Sequence, residues 1–366
     1  MAASPGPWGL VVGKFWPPHA GHLLLIEHAL AECGRVTIVV CDRPDQTPPP
    51  AGQRAAWLRE LCPRAEVIVV PDIGYDDDSQ RWAAYTREFL GAAPDVVFTS
   101  ESYGEAYARF LGARHVSVDA ARTIAPVSGT AVRGDPFVNW RYLPPPVRAF
   151  YALRICTIGA ESTGTTTLAA DLAARLGTVW VPEYGREYSI EKFDRGEDRW
   201  STDEFVTIAA EQARQEDLAA RECDRVLVCD TDAFATTVWH ERYIGNRSPE
   251  VERIAEDRRR PGTVIDLYLL TDIDIPFEQD GYRDGEHIRD WMHHRFIERL
   301  EETQRRYLVL SGSREERVLA AQVVVETALG DRVGDRTRKV DHLQGERCNS
   351  DNVVGPAGLE PATGRL

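Results

Sequence analysis

The 366-residue sequence predicts an α/β protein built from two doubly wound parallel-sheet domains, and three observations predict it. Short, almost continuously apolar runs recur with helix-like segments between them, the pattern of a parallel sheet covered on both faces. The runs fall into two series, with the Pro-rich stretch YLPPPV (142–147) near the joint. Each series starts with an apolar strand that leads into a glycine-bearing loop and then a helix: GKFWPPHAGH (13–22) in the first, GAESTGTTT (159–167) in the second.

In the first series the strand runs are GLVVG (9–13), RVTIVV (35–40), AEVIVV (65–70), DVVFTS (95–100) and RHVSV (114–118). HLLLIEHALAEC, GQRAAWLREL, SQRWAAYTREFL and ESYGEAYARFL separate them as helices. In the second series the strands are RICTIG, TVWV, VLVCD (226–230), DLYLLT (266–271) and YLVLS (307–311). Helix-like stretches at 203–222, 232–244 and 287–306 intervene, and LAADLAARL follows the glycine loop. The domains are placed at 8–150 and 151–330. Residues 331–366 lack periodicity and are expected to form a disordered tail.

Composition narrows the function classes. A net charge of −15 speaks against general affinity for nucleic acid or anionic membranes. No apolar run reaches the ~20 residues of a membrane span, and the N-terminus lacks a signal-peptide pattern. Seven cysteines lie scattered without metal-ligand spacing, which fits reduced thiols in the cytoplasm. Only three lysines occur, Lys14, Lys192 and Lys339, so chemistry that needs an ammonium has few candidates. Self-association is left open.

The first loop leaves its strand at Gly13, turns through Pro17 and Pro18, and opens a helix near Gly21. His19 and His22, three apart, can face one pocket there. Imidazoles beside the free N–H groups of a helix start suit phosphate binding. The string H-x-G-H in the longer form G-K-F-x-P-x-H-x-G-H resembles the signature of the nucleotidylyltransferase superfamily. The later SGTAVR (128–133) resembles that superfamily's second signature, in order and spacing. The resemblance implies adenylyl transfer, in which an acceptor phosphate attacks the α-phosphorus of ATP and pyrophosphate leaves. It implies that His19, His22, Lys14 and Arg133 contact the ATP phosphates. Gly13, Phe15, Gly21, Ser128, Gly129 and Thr130 complete the nucleotide site, and Mg²⁺ accompanies the ATP. Trp82, past the third strand, is a candidate for stacking on the acceptor ring or for plain packing; Asp76–Asp78 read as solvated loop charges.

The second loop has the strand–loop–helix setting that gives a phosphate-binding loop its meaning. Gly159 and Gly164 match the G-x-x-x-x-G-K-[ST] pattern, with Glu161, Ser162 and Thr163 between them. Thr166 stands where a Mg²⁺-binding hydroxyl is needed, and Thr167 follows. Position 165, which the pattern gives to lysine, is Thr165. The loop keeps its cradle of backbone amides and loses a positive charge at the β/γ phosphates. Asp230 ends an apolar strand as a metal-side acid does. PEYGREY (182–188) supplies Glu183 and Arg186, and DGYRDGEHIR (280–289), a candidate lid, supplies Arg283 and Arg289. Lys192 is a remote candidate for reaching into the loop.

GAESTG, PEYGREY, DTDAFATTVWHERYIG and DGYRDGEH together resemble the kinase half of the NadR-type family. In that family an HxGH nicotinamide-mononucleotide adenylyltransferase domain is followed by a P-loop ribosylnicotinamide-kinase domain. The resemblance covers roughly residues 8–330. It implies NAD salvage, with ATP, nicotinamide mononucleotide and ribosylnicotinamide as ligands. Asp232 and Glu183 become candidates for holding ribose hydroxyls or taking the proton, without a choice between them. The chain opens almost directly on its first strand, so the helix-turn-helix domain of some members is not expected, nor is DNA repression. Thr165 departs from the family, so the second domain is expected to bind nucleotide and to phosphorylate weakly. A fully competent kinase and a nucleotide-sensing module remain the alternatives.

Overall fold

The computed structural model describes residues 6–43, 49–75, 78–282 and 285–334. The first sheet contains β1 (Trp8–Gly13), β2 (Arg35–Asp42), β3 (Glu66–Pro71), β4 (Val96–Thr99) and β5 (Arg114–Ser117), in the order β3-β2-β1-β4-β5. All its pairings are parallel. The intervening helices are α1 (Ala20–Glu32), α2 (Ala51–Leu61), α3 (Ser79–Leu90) and α4 (Gly104–Leu111). Strand order reverses between β1 and β4, and the carboxyl ends of strands at such a reversal form a ligand crevice. The segment after β1 carries the two histidines into it.

Two short helices follow, α5 (Gly129–Gly134) and α6 (Pro145–Tyr151). The second sheet contains β6 (Leu153–Ile158), β7 (Trp180–Val181), β8 (Val226–Asp230), β9 (Leu267–Thr271) and β10 (Tyr307–Leu310), in the order β10-β9-β6-β8-β7, again parallel. Its helices are α7 (Thr165–Leu176), α8 (Tyr184–Asp194), α9 (Thr202–Ala219), α10 (Ala233–Ile244), α11 (Pro249–Asp257), α12 (Arg289–Glu302) and α13 (Arg314–Gly334).

The apolar runs become the central strands for a simple reason. Every residue of β6 is buried, as are all of β8 and β9, so their side chains are mostly apolar, and the polar ones, Arg154, Thr157, Asp230 and Thr271, are hydrogen-bonded inside the fold. Each fully buried Leu or Phe in such a layer contributes about 1.5–3 kcal/mol. TVWV shortens to Trp180–Val181, because β7 is an edge strand paired only at those two positions.

The Pro-rich joint is not a loose connection. Pro144 precedes α6, whose Val147 and Tyr151 are buried. Trp140, Leu143 and Val147 share one apolar cluster with Ala220, Cys223 and Leu227 of the second unit. Trp140 Nε1 donates to the Cys223 carbonyl at 3.3 Å, and Arg221 pairs with Glu60 on α2. Helix α13 runs to Gly334, past the expected start of the tail at residue 331; residues 335–366 lie outside the described residues.

Candidate functional site

At the end of β1 the backbone turns through Phe15 in the left-handed region (φ 45°). The Phe15 ring is buried, 4.9 Å from the ring of His22, so it supports the site from below. His19 is the N-cap of α1, in extended conformation, and the His22 amide donates to its carbonyl at 2.9 Å. The two imidazoles stack, with centroids 3.7 Å apart and planes at 27°. Each buries an Nδ1 with no hydrogen-bond partner, a costly state for a polar atom and one that a polar ligand relieves.

The second signature comes to the first across the crevice. Ser128 caps α5 by accepting from the Ala131 amide at 3.1 Å. Arg133 donates to the Trp16 carbonyl at 2.8 Å and to Thr130 Oγ1 at 3.0 Å, and lies over the Trp16 ring. A Cβ on Gly129 would lie 3.1 Å from Arg133 Nη1 and 4.0 Å from His19 Nε2, so this glycine lets the two motifs meet. A Cβ on Gly21 would lie 3.2 Å from the His19 ring and 3.8 Å from Ala125. Burial holds His19 down to about 4, helped by the charges of Arg122 and Arg133. Burial, the His19 ring and the same arginines hold His22 well below the usual range. Both imidazoles are therefore neutral at pH 7, each with one N–H to donate.

Arg122 adds a second positive charge beside the histidines. It stands in a loop shaped by Asp119, whose carboxylate accepts from the amides of Thr123, Ile124 and Ala125. No local motif marks it in the sequence. Trp82 lies in the first turns of α3, with its indole N–H on the Tyr75 carbonyl at 3.0 Å and its ring against the Leu10 cluster. The Asp78 side chain is 44% exposed, a solvated charge that also caps α3 by accepting from the Arg81 amide at 2.9 Å. Asp76 and Asp77 lie outside the described residues.

In the second unit β6 leads into the glycine loop and then α7, whose N-cap Gly164 has φ 84°. Gly159 is obligatory, since a Cβ there would come within 2.2 Å of Thr271 Oγ1 and 2.6 Å of Thr163 Oγ1. Thr163 turns inward, bonded to the Ala160 carbonyl at 2.7 Å and to Thr271 at 2.6 Å. Thr166 Oγ1 donates to Asp230 Oδ2 at 2.5 Å, and Thr157 to Oδ1 at 3.4 Å. Burial pushes the Asp230 carboxyl up to about 6; the hydroxyls of Thr166, Thr165 and Thr157 and the charge of Arg186 pull the other way. A hydroxyl beside a carboxylate at this place is the donor set that a hard divalent cation takes.

Beside the loop opens a cavity of about 160 Å³. Gly159, Ser162, Gly164, Thr165, Thr166 and Thr167 of the loop line it. The aromatic residues Trp200, Phe205, Trp239 and Tyr243 line it as well, as do Glu183 and Arg186. Trp200 packs 5.1 Å from Phe205 and 5.3 Å from Tyr243. The sequence marked the polar lining of this cavity and missed the aromatic lining, which is assembled from α9, α10 and the segment before α9.

The Cytidylyltransferase-like family matches residues 10–134, and the AAA domain family matches residues 154–317. The trifunctional NAD biosynthesis/regulator protein NadR of Escherichia coli is 28% identical over 296 residues, which cover 75% of this chain and 71% of that protein. The nicotinamide-nucleotide adenylyltransferase of Aeropyrum pernix is 34% identical over 103 residues, 25% of this chain and 58% of that one. The crystal structure of NadR protein in complex with NR superposes with a TM-score of 0.72 at 21% identity, covering 93% of this chain and 99% of that one. The NadR complex with NAD and AMP-PNP gives 0.67 at 20% identity, with 93% and 100% coverage. The chain is thus similar to NadR proteins in sequence over 75% of its length, and it shares their fold. It is a nucleotidyltransferase.

Within this fold several residues stand elsewhere than expected. Asp232 does not line the cavity. It caps α10 through the Ala235 amide at 2.8 Å and accepts from the Tyr268 hydroxyl at 2.7 Å, so both oxygens are held inside the fold. Lys192 does not approach the loop, because its ammonium is buried against Glu204 at 2.6 Å. Arg289 braces the loop from behind, donating to the carbonyls of Ile275 at 3.0 Å and Ser162 at 3.4 Å. Arg186 faces the cavity and pairs with Asp280. Glu161 is taken by Arg242 and by the Gly285 amide at 2.8 Å. Arg283 lies outside the described residues. No helix among the described residues is long and apolar enough to cross a membrane.

Proposed function

We propose that the first site transfers the adenylyl group of Mg-ATP to nicotinamide mononucleotide, giving NAD and pyrophosphate. The observation that carries this reading is the stacked His19–His22 pair, neutral and with unfilled Nδ1 atoms, at the N-terminus of α1 and facing Arg133. A phosphate oxygen of the mononucleotide forms the new P–O bond at the α-phosphorus, and the bond to the β-phosphate oxygen breaks. The acceptor arrives ionised, so no general base is required. The protein positions reactants and stabilises charge. His19 and His22 donate N–H groups to the phosphates. Lys14 and Arg133 offset the charge that builds on the leaving pyrophosphate. Magnesium supplies further neutralisation when it arrives with ATP. The name of the Aeropyrum pernix relative supports the acceptor, and that of the Escherichia coli relative supports a place in NAD biosynthesis. The reading fails if purified protein releases no pyrophosphate from ATP and the mononucleotide while it still binds ATP.

The second site binds nucleotide at the glycine loop and ribosylnicotinamide in the adjoining cavity, with the flat base against Trp200, Phe205 and Tyr243. Thr166 and Asp230 would hold Mg²⁺. Phosphoryl transfer is weak there, because neither Thr165 nor Lys192 brings an ammonium to the loop. A sensing role is the other reading, favoured by the Trp140–Cys223 contact, which ties the segment after α5 to the second unit. Asp230→Asn separates the two: a sensor loses ATP control of NAD synthesis, and a weak kinase loses only its own turnover. The free, mostly buried cysteines support a reducing compartment and so a cytoplasmic place of action.

A further inference from the structure

Lys14 is held from two sides by residues that no motif marks. Arg54, on α2 and almost fully buried, donates to the Lys14 carbonyl and to the Cys41 carbonyl at 3.4 Å. That contact fixes the backbone where the chain leaves β1. On the other side lies Asp72, the residue after β3. Its amide donates to the Asp42 carbonyl at 2.8 Å, and its Oδ1 accepts from the Gly74 amide at 2.8 Å. Its Oδ2 is buried and accepts no hydrogen bond. That oxygen lies 3.8 Å from Lys14 Nζ.

A buried carboxylate oxygen without a donor is unfavourable, and its persistence needs a countercharge. The Lys14 ammonium supplies one. At 3.8 Å the contact is an ion pair and not a hydrogen bond. The Asp72 side chain is 0% exposed and that of Lys14 is 36% exposed. A ligand in the crevice therefore meets Lys14 and not Asp72. We propose that Asp72 is a positioning residue for the adenylyl-transfer site, holding the Lys14 ammonium in place for the triphosphate before the nucleotide arrives. A four-carbon stem fixed in advance loses less freedom on binding. The proposal rests on the adenylyl-transfer reading of the first site for its catalytic arm only.

The test uses the scarcity of lysine. The chain has three, and Lys192 is only 2% exposed, so limited acylation of the folded protein followed by peptide mass spectrometry reads Lys14 directly. Asp72→Asn removes this countercharge from the ammonium, and Lys14 acylates about threefold faster than in wild type. In the kinetic arm Asp72→Asn raises the KM for ATP by about tenfold with a smaller change in kcat. In a Lys14→Ala background the same substitution adds nothing. Asp72→Ser, which keeps an acceptor for the Gly74 amide, replaces Asp72→Asn if that variant does not fold. Unchanged Lys14 acylation overturns the proposal, and so do effects of the two substitutions that multiply. The acylation arm needs no turnover, so a chain inactive towards the mononucleotide would sink the catalytic reading while still testing the Asp72–Lys14 couple.

Discussion

The hydroxyl of Thr166 donates to Asp230 Oδ2 across 2.5 Å, so the first turn of α7 and the end of β8 meet where a nucleotide-bound metal would sit. The loop therefore keeps its metal-side pair and its amide cradle. What it lacks is the charge at position 165. Thr165→Lys is expected to raise single-turnover phosphorylation of ribosylnicotinamide by about 10²–10³, the range that goes with one lost electrostatic contact in a transition state. Thr166→Ala should lower nucleotide binding in either background. A rate that Thr165→Lys leaves unchanged would mean that arginines already supply the charge, with Arg186 the first to test because it faces the cavity.

Asp232 separates structural from catalytic acids. Its two oxygens cap α10 and hold the Tyr268 hydroxyl, and burial raises its carboxyl above the usual range. Asp232→Asn should lower stability by about 1–3 kcal/mol, the cost of disturbing buried hydrogen bonds. Denaturant unfolding checks this. Nucleotide affinity at the second site should change little in the folded variant; a large loss of turnover without a loss of stability would return Asp232 to the catalytic set.

These two acids also indicate what a sequence displays. Asp230 and Asp232 sit two apart in CDTD and look equivalent, yet they point to different ends of the fold: one to the loop, one to the Tyr268 hydroxyl on β9. Local spacing shows strand ends and glycine loops, because their chemistry is carried by neighbours in sequence. It placed His19, His22 and Arg133 in one crevice and Thr166 beside Asp230. It could not show Arg122, Arg54 or Asp72, whose partners lie far away in sequence, nor the aromatic lining of the cavity, which only the packing of α9 and α10 assembles. It showed Asp78 as a solvated charge without its second role as the cap of α3, since a cap is defined by where the helix starts.

Gly159 gives a domain-selective test. An alanine Cβ there would overlap Thr271 Oγ1 and Thr163 Oγ1, both buried and bonded to each other at 2.6 Å. Neither hydroxyl can move without losing that bond. Gly159→Ala is expected to destabilise the second unit by about 1–3 kcal/mol, as overpacking does, and to remove nucleotide binding at the loop. NAD synthesis at the first site should persist at 25 °C. Equal loss of both activities would mean that the cluster joining Trp140 to Cys223 makes the two units unfold as one.

His19 predicts the acid side of the stability curve. Its folded-state value is about 4 against 6.5 for an unperturbed imidazole, chiefly because it is buried. A depressed base binds its proton less readily in the folded chain than in the unfolded one. Its contribution is therefore fully present above about pH 6.5 and is lost as pH falls towards 4. Between pH 7.5 and pH 5 the loss from this one group is on the order of 2 kcal/mol, and His22, shifted the same way, adds to it. His19→Gln should flatten that part of the pH dependence measured by thermal unfolding, and should also cut adenylyl transfer by about 10²–10³ by removing a phosphate donor. An anion in the crevice favours the charged imidazole, so pyrophosphate binding should take up protons near pH 5.5. Calorimetry in two buffers of different ionisation enthalpy reads that uptake, and an identical heat in both would show that the histidines stay neutral against phosphate.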